Sequence, residues 1–322
     1  MNSEPSQRVL HEAASRGLRA LAADERCRSA FTAPGSVLQD ILSPAARRYV
    51  LAADRDEFLG HLAALREKSY GITVEFVGEE NSDPAQIEQV VQEYLSVLAH
   101  DPVPGQIGFD LSNVGLTVSR ELALENSARI VEAAAAKGCE VVLSMERSPA
   151  VDAVLGVYRD LAERYENVGI TLQAHLYRSE QDIAAVARPG RRVRLVKGAF
   201  QEPADVALGR GPALDARYLR FAEQLVDAGV RLSLATQDPE MLAQAKASGL
   251  LSRVDEIEML HGVRPSLLRE YREAGFACRI YATYGENWWL HLLHRLAEHP
   301  PMVLTALADL ADQGERTVGA GY

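Results

Sequence analysis

A lysine at the end of a buried-strand pattern is the first residue whose type and place suggest chemistry. The run Val193-Arg194-Leu195-Val196 is apolar apart from one arginine, and it leads into Lys197-Gly198-Ala199-Phe200-Gln201 and then Glu202-Pro203, which reads as a helix start. A strand covered on both faces disfavours a cation, so a terminal Lys meets an anion or a reacting group, or lies on the surface just past the strand. Side chains alternate along a strand, so Arg194 shares a face with Val196, and Lys197 shares the face of Leu195 unless the strand has already ended. Other apolar runs also end in polar groups: Glu79, Asp110, Ser144, Glu146, Gln173 and His175, then Thr236, Gln237, Asp238, Glu258, His261, Tyr281 and Tyr284. Farther along, His291, His294 and Arg295 stand three and four residues apart, which places them on one helix face. Two histidines at that spacing also suit a metal, but no third ligand is evident, and a pocket histidine that titrates near neutral pH is the expectation.

Such groups act only if the chain brings them to one rim. Strand-like runs occur at Ile72–Val77, Ile107–Leu111, Glu140–Met145, Gly169–His175, Val193–Lys197, Arg231–Ala235, Asp255–Leu260 and Cys278–Ala282. A helical stretch follows each, and the last of them covers Asn287–Glu298. Eight strand–helix units in series predict an α/β fold of the (β/α)8 TIM type, whose chemistry collects at the carboxyl ends of the strands. An open doubly wound sheet is the alternative, but no Gly-x-Gly-x-x-Gly follows any strand. Residues 1–70 read as a helical N-terminal extension broken at Pro34-Gly35 and Pro44, 71–310 as the barrel, and 311–322 as a flexible C-terminal tail.

Composition narrows the class. The 322 residues are 47% apolar and carry a net charge of −11 with no basic run, which argues against a nucleic-acid surface. Cys27, Cys139 and Cys278 lie far apart, without metal-ligand spacing, and fit a reducing compartment. No apolar run reaches the roughly 20 residues of a membrane span. The expectation is a cytoplasmic protein acting on a small molecule, with self-association left open.

Six segments carry a resemblance. They are Val142-Leu143-Ser144-Met145-Glu146-Arg147-Ser148, Val168 to Arg178 with its Gln173-Ala174-His175, Leu195-Val196-Lys197-Gly198-Ala199-Phe200, Ala235-Thr236-Gln237-Asp238, Leu260-His261-Gly262-Val263-Arg264, and Tyr284-Gly285-Glu286-Asn287-Trp288 through Arg295 to Glu298. In that order and spacing the chain resembles the bacterial monofunctional proline dehydrogenases from about Gly71 to Leu310. The resemblance implies a distorted (β/α)8 barrel that holds FAD without a covalent bond and oxidises the amine-bearing carbon of proline to an imine. It places Met145, Gln173, Lys197, Gly198, Ala199 and Thr236 on flavin-contacting positions and Arg194 on a catalytic arginine beside the flavin. Gln237 stands where the family usually has a histidine next to the cofactor.

The substrate positions depart from that pattern. The family grips the proline carboxylate with a lysine on the second strand and an Arg-Arg pair on the last helix; this chain has Asp110, and His294-Arg295. A family tyrosine is His291, and a family aspartate after the third strand is Ser144, whereas Tyr281 and Arg295 remain. Exchanging a cation for Asp110 turns an attraction of about 4 kcal/mol at ~4 Å and a dielectric of 20 into a repulsion. The expectation is an FAD-dependent oxidoreductase acting on a C–N or N–N bond of a small amine other than proline and passing electrons to oxygen, a quinone or another carrier. Asp110, Ser144, Arg194 and Tyr281 are the catalytic candidates, and Asp110, Tyr281, His291, His294 and Arg295 the substrate contacts. Asp110 paired to Lys197 or Arg295, Arg295 paired to Glu298, and Trp288 and Trp289 packed on the barrel are the structural alternatives. Ordinary proline dehydrogenation, a Schiff-base lyase built on Lys197 and a non-catalytic flavin- or ligand-binding protein that lost turnover with the changes at Ser144 and Asp110 are the competing functions.

Overall fold

Apolar runs separated by capped helices build a closed parallel barrel. The computed structural model describes residues 4–78, 81–311, 319, 321 and 322. Ahead of the barrel lie α1 (Glu4–Ala22), α2 (Glu25–Thr32), α3 (Val37–Ala46), β1 (Val50–Ala52) and α4 (Arg55–Glu67). The barrel strands are β2 (Gly71–Phe76), β3 (Gln106–Phe109), β4 (Glu140–Leu143), β5 (Val168–Gln173), β6 (Arg192–Val196), β7 (Arg231–Ala235), β8 (Glu256–Leu260) and β9 (Cys278–Tyr284). Neighbours in this order pair in parallel, and β9 closes the ring against β2, Gly71 facing Arg279 and Phe76 facing Tyr284.

The helices that follow are α5 (Pro84–Ala99), α6 (Arg120–Ala136), α7 (Val151–Ala162), α8 (Ser179–Val186), α9 (Pro212–Asp227), α10 (Pro239–Ala247), α11 (Pro265–Glu273), α12 (Trp289–Glu298) and α13 (Met302–Ala311). Their starts are written in the sequence. Asp83 accepts from the Ala85 amide ahead of Pro84, Ser119 caps α6 through Leu122, and Asp238 caps α10 through Glu240 and Met241. Each satisfies an amide that the first helical turn leaves without a partner. The main core lies between the strands and this ring of helices, and β5 is buried along its whole length.

The extension differs from expectation in two ways. It is not wholly helical: β1 pairs with Thr283 and Tyr284 of β9, beyond the point where β8 stops pairing at Tyr281. Pro44 does not break α3, because it stands in the last turn of that helix, whereas the break at Pro34-Gly35 is real and Gly35 takes a φ of +69°. A second core binds the extension to the end of the chain. Phe31 of α2 meets the rings of Trp288 and Trp289 at 4.6 and 5.4 Å, so the two tryptophans pack on the extension and not on the barrel wall. Helix α13, which the sequence reading missed, follows Pro300-Pro301 and is tied to the extension by Asp309 with Arg48, 2.7 Å.

Of the segment expected as a tail, 312–318 and 320 lie outside the described residues, as do Glu79 and Glu80. Tyr322 is buried; its hydroxyl accepts from the Gly262 amide at 2.8 Å and meets His261 Nδ1 at 3.1 Å.

Candidate active site

The carboxyl ends of the strands open into a cavity of about 770 Å³, within the range of small-molecule and cofactor sites. All fourteen residues selected from the sequence as catalytic, cofactor or substrate contacts line it: Asp110, Ser144, Met145, Gln173, Arg194, Lys197, Gly198, Ala199, Thr236, Gln237, Tyr281, His291, His294 and Arg295. Of the remaining strand-end candidates, Glu146, Asp238 and Glu258 also line it. His175 packs beneath Gly198, His261 is held by Tyr322, and Tyr284 donates outward to Glu93 at 2.8 Å.

The floor is set by Arg194. It shares the inward face with Val196, as alternation requires, and its Nε lies 3.0 Å from both oxygens of Glu258. Nη2 donates to Gln106 Oε1 at 3.2 Å, and the guanidinium lies over the Tyr281 ring at 4.6 Å. Gly108 makes room for that ring, since a Cβ there would come within 3.3 Å of the Tyr281 hydroxyl. Glu258 is therefore the counter-ion of Arg194 inside the barrel and not a strand-end group.

Lys197 lies one residue past the end of β6, which frees it from strand alternation and lets it reach the same cavity. Its ammonium is held 2.5 Å from Asp215 and 2.9 Å from Asp238, the residue that caps α10. An amine engaged by two carboxylates is not free to attack a carbonyl, so the geometry speaks against a Schiff base at Lys197. The following turn requires glycine: Gly198 has a φ of +114°, and a Cβ would fall 1.7 Å from His175 Nδ1.

The roof is α12. Arg295 pairs with Glu298 at 3.0 Å, as the structural alternative expected, while its Nε is buried without a partner among the described residues. His291 and His294 both line the cavity, but neither titrates near neutral pH. Burial, with Arg295 and His294 nearby, pulls His291 down to about 3; burial, with Arg295, Arg19 and Arg147 nearby, pulls His294 down to about 4. The sequence expectation of a neutral-range titration overlooked how dry this roof is and how many guanidiniums surround it.

The main residue that sequence reading missed is Glu75. It points into the lumen from β2, lines the cavity, and has Oε2 out of reach of solvent with no partner among the described residues. Burial, then the neighbouring Asp110, push its carboxyl well above the ordinary range; Arg194 and Arg295 oppose that shift without cancelling it. The signal was present in Ile72-Thr73-Val74-Glu75-Phe76, where a carboxylate interrupts an apolar strand on the same face as Thr73. Gln173 carries a further orphan on the cavity lining: Nε2 donates to the Glu146 carbonyl at 2.8 Å, and Oε1 is buried with no partner among the described residues. Among the described residues no group of three or more His, Cys, Asp or Glu is arranged to hold a metal, and no helix is long and apolar enough to cross a membrane.

Comparison with known proteins agrees with this geometry. Proline dehydrogenase 1 of Bacillus subtilis strain 168 is 27% identical over 262 residues, 79% of this chain and 87% of its own length. The proline dehydrogenase of Deinococcus radiodurans is 29% identical over 267 residues, 79% and 86%. Among solved structures, proline utilization A from Bdellovibrio bacteriovorus, inactivated by N-propargylglycine, superposes with a TM-score of 0.72 at 18% identity. The match covers 92% of this chain but spans only 40% of that longer protein. The protein from Corynebacterium freiburgense gives 0.69 at 19% identity, covering 85% of this chain and 34% of that one. The family profile described as proline dehydrogenase matches residues 58–298, three quarters of the sequence and the whole barrel, and the chain belongs to the proline dehydrogenase family.

Proposed function

We propose that this protein is an FAD-dependent dehydrogenase that converts a CH–NH unit of a small amine other than proline into C=N. Membership of the family and the names of the relatives support C–N oxidation. The observation that carries the departure from proline is the acidic wall made by Asp110 and Glu75, where the family pattern has a cation for the substrate carboxylate.

The cavity has the features a flavin needs. A buried polar atom without a partner, Gln173 Oε1, lines it beside a glycine turn that admits no side chain. Met145, Gln173, Lys197, Gly198, Ala199, Thr236 and Gln237 would hold FAD, with Arg194 as the nearby cation. When bound, FAD supplies the two-electron acceptor that takes hydride from the amine-bearing carbon. The chain's own groups prepare the substrate. An amine arrives protonated and must become neutral before its lone pair can assist loss of hydride. Asp110 is the base for that proton, and Glu75, whose protonated form burial favours, offers a hydrogen bond from the same wall. Tyr281, fixed over Arg194, forms a side of the cavity, and Ser144 leaves space where the family has a carboxylate.

The deciding experiment is the visible spectrum of the purified protein followed by anaerobic titration with a panel of amines, hydrazines and proline analogues. The expected result is a flavin spectrum bleached by a cationic or neutral amine at least a hundredfold faster than by L-proline. A colourless protein that takes up no FAD on reconstitution contradicts the reading. Irreversible trapping of a carbonyl compound on Lys197 by borohydride would revive the Schiff-base alternative.

A further inference from the structure

The turn between β8 and α11 is gripped from two sides by residues outside the family match, which covers 58–298. Arg48 stands on one side. Gly262, at a φ of +72°, lies so close to the Arg48 carbonyl that a Cβ would fall 1.7 Å from its oxygen. Tyr322 stands on the other. Its hydroxyl accepts from the Gly262 amide at 2.8 Å and meets His261 Nδ1 at 3.1 Å, and its ring stacks on that imidazole with centroids 5.6 Å apart and planes 21° from parallel. The phenol occupies a fitted socket between α4 and α11. Tyr70 meets it edge-on at 5.5 Å, Lys68 Nζ donates to the carbonyl oxygens of Gly319 and Tyr322 at 2.7 and 3.3 Å, and a Cβ on Gly321 would lie 3.2 Å from Pro265.

The same turn is cavity wall on its inner side. Leu260, Val263 and Arg264, which flank His261 and Gly262, line the cavity, whereas Tyr322 does not. Without the phenol hydroxyl the Gly262 amide and His261 Nδ1 lose that partner, and a turn held by fewer bonds opens more often. We propose that Tyr322 is a positioning residue for the cavity: docked in its socket, it fixes the wall made by Leu260, Val263 and Arg264, so that docking of Tyr322 and occupancy of the cavity by FAD are coupled. This rests on the flavin reading above. The coupling is reciprocal, so if docked Tyr322 tightens flavin binding, bound flavin holds Tyr322 in place by the same factor.

The test uses the full-length protein with and without FAD, and reads flavin affinity by fluorescence titration and local opening by hydrogen exchange. Tyr322→Phe keeps the ring and removes the hydroxyl. It should raise the FAD dissociation constant about tenfold and speed exchange across residues 260–264 by a similar factor. In the wild type, FAD should slow exchange around Tyr322. Lys68→Met, which loosens the socket without touching the turn, should act in the same direction, and it carries the test if Tyr322→Phe does not fold. Val157→Ala, buried in α7 away from the cavity, is the control for lost stability and should leave the FAD constant within about twofold. A Tyr322→Phe protein that melts lower but binds FAD as tightly as the wild type overturns the proposal, because Tyr322 then only stabilises the fold. Unchanged exchange across 260–264 overturns it as well. A wild type that takes up no FAD ends the flavin reading and this coupling with it, a result distinct from weakened binding in the variant alone.

Discussion

The two ends of the barrel lumen treat charge in opposite ways. At the amino ends of the strands the charges are paired with one another. Arg192 reaches Glu140, Asp255 and Glu256 at 3.3 to 3.4 Å, Arg279 holds Glu256 at 2.8 Å, and Ser233 donates to the same carboxylate at 2.6 Å. At the carboxyl ends polar atoms are buried and unmatched: Glu75 Oε2, Gln173 Oε1, Asn287 Oδ1 and Arg295 Nε. A folded chain seldom leaves such atoms without partners unless something else supplies them. Among the described residues the lower end keeps one such atom, Nε of Arg192, on a guanidinium otherwise paired to carboxylates, whereas the four at the upper end all belong to residues that line the cavity.

That contrast can be broken at either end. The largest effect is expected at the bottom. Arg192→Met leaves Glu140, Asp255 and Glu256 without their shared cation and should cost about 3–5 kcal/mol in urea unfolding. Any folded fraction should keep its flavin affinity, and a variant of normal stability would show that the lower network is not what closes the barrel. At the top, Gly198→Ala places a methyl against His175 on a backbone at φ +114°. The turn must open, with a loss of about 2–4 kcal/mol and of FAD retention, measured by flavin released on gel filtration.

Smaller effects follow from protonation. Burial pulls His175 and His261, like His294, down to about 4, and His291 to about 3. A histidine lowered in the fold takes up its proton more readily in the unfolded chain. The stability it contributes is complete above about pH 6.5 and is lost as pH falls toward the folded values, at about 1.4 kcal/mol per pH unit for each one. His261→Gln should therefore flatten the dependence of the unfolding free energy between about pH 6 and 4 by one proton, and an unchanged slope would place His261 outside this account. Glu75 has the opposite sign. Its raised carboxyl contributes stability that is complete below about pH 4 and is lost as pH rises toward its folded value. Glu75→Gln should then be more stable relative to the wild type at pH 8 than at pH 4, read by thermal melting at the two values; equal differences at both would contradict the raised carboxyl.

What the sequence revealed depended on how local each signal was. Strand ends, the Pro-led starts of α5, α10 and α11 and the glycine turn at 198 are local and appear within one or two residues of their expected places, whereas the helix start expected at Glu202-Pro203 is absent and α9 begins only at Pro212. Features set by distant contacts were not legible. The three residues of β1 become a strand only because β9 offers them an edge where β8 has stopped. Glu75 shows in the sequence as a carboxylate interrupting an apolar strand, but its raised carboxyl depends on burial and on Asp110, thirty-five positions away. The guanidiniums acting on His294 were invisible because Arg19, Arg147 and Arg295 come from three separate segments. The two histidines of α12 were placed correctly but given the wrong protonation, because sequence spacing carries no information about desolvation.

The most direct measurement of the central claim is the anaerobic rate of flavin reduction by L-proline in the wild type and in Asp110→Lys. If an acidic wall excludes the proline carboxylate, the wild type reduces slowly and the lysine, returning a cation beside Glu75, speeds reduction at least tenfold. A wild type that proline reduces as fast as any amine in the panel, and that Asp110→Lys slows, would contradict it.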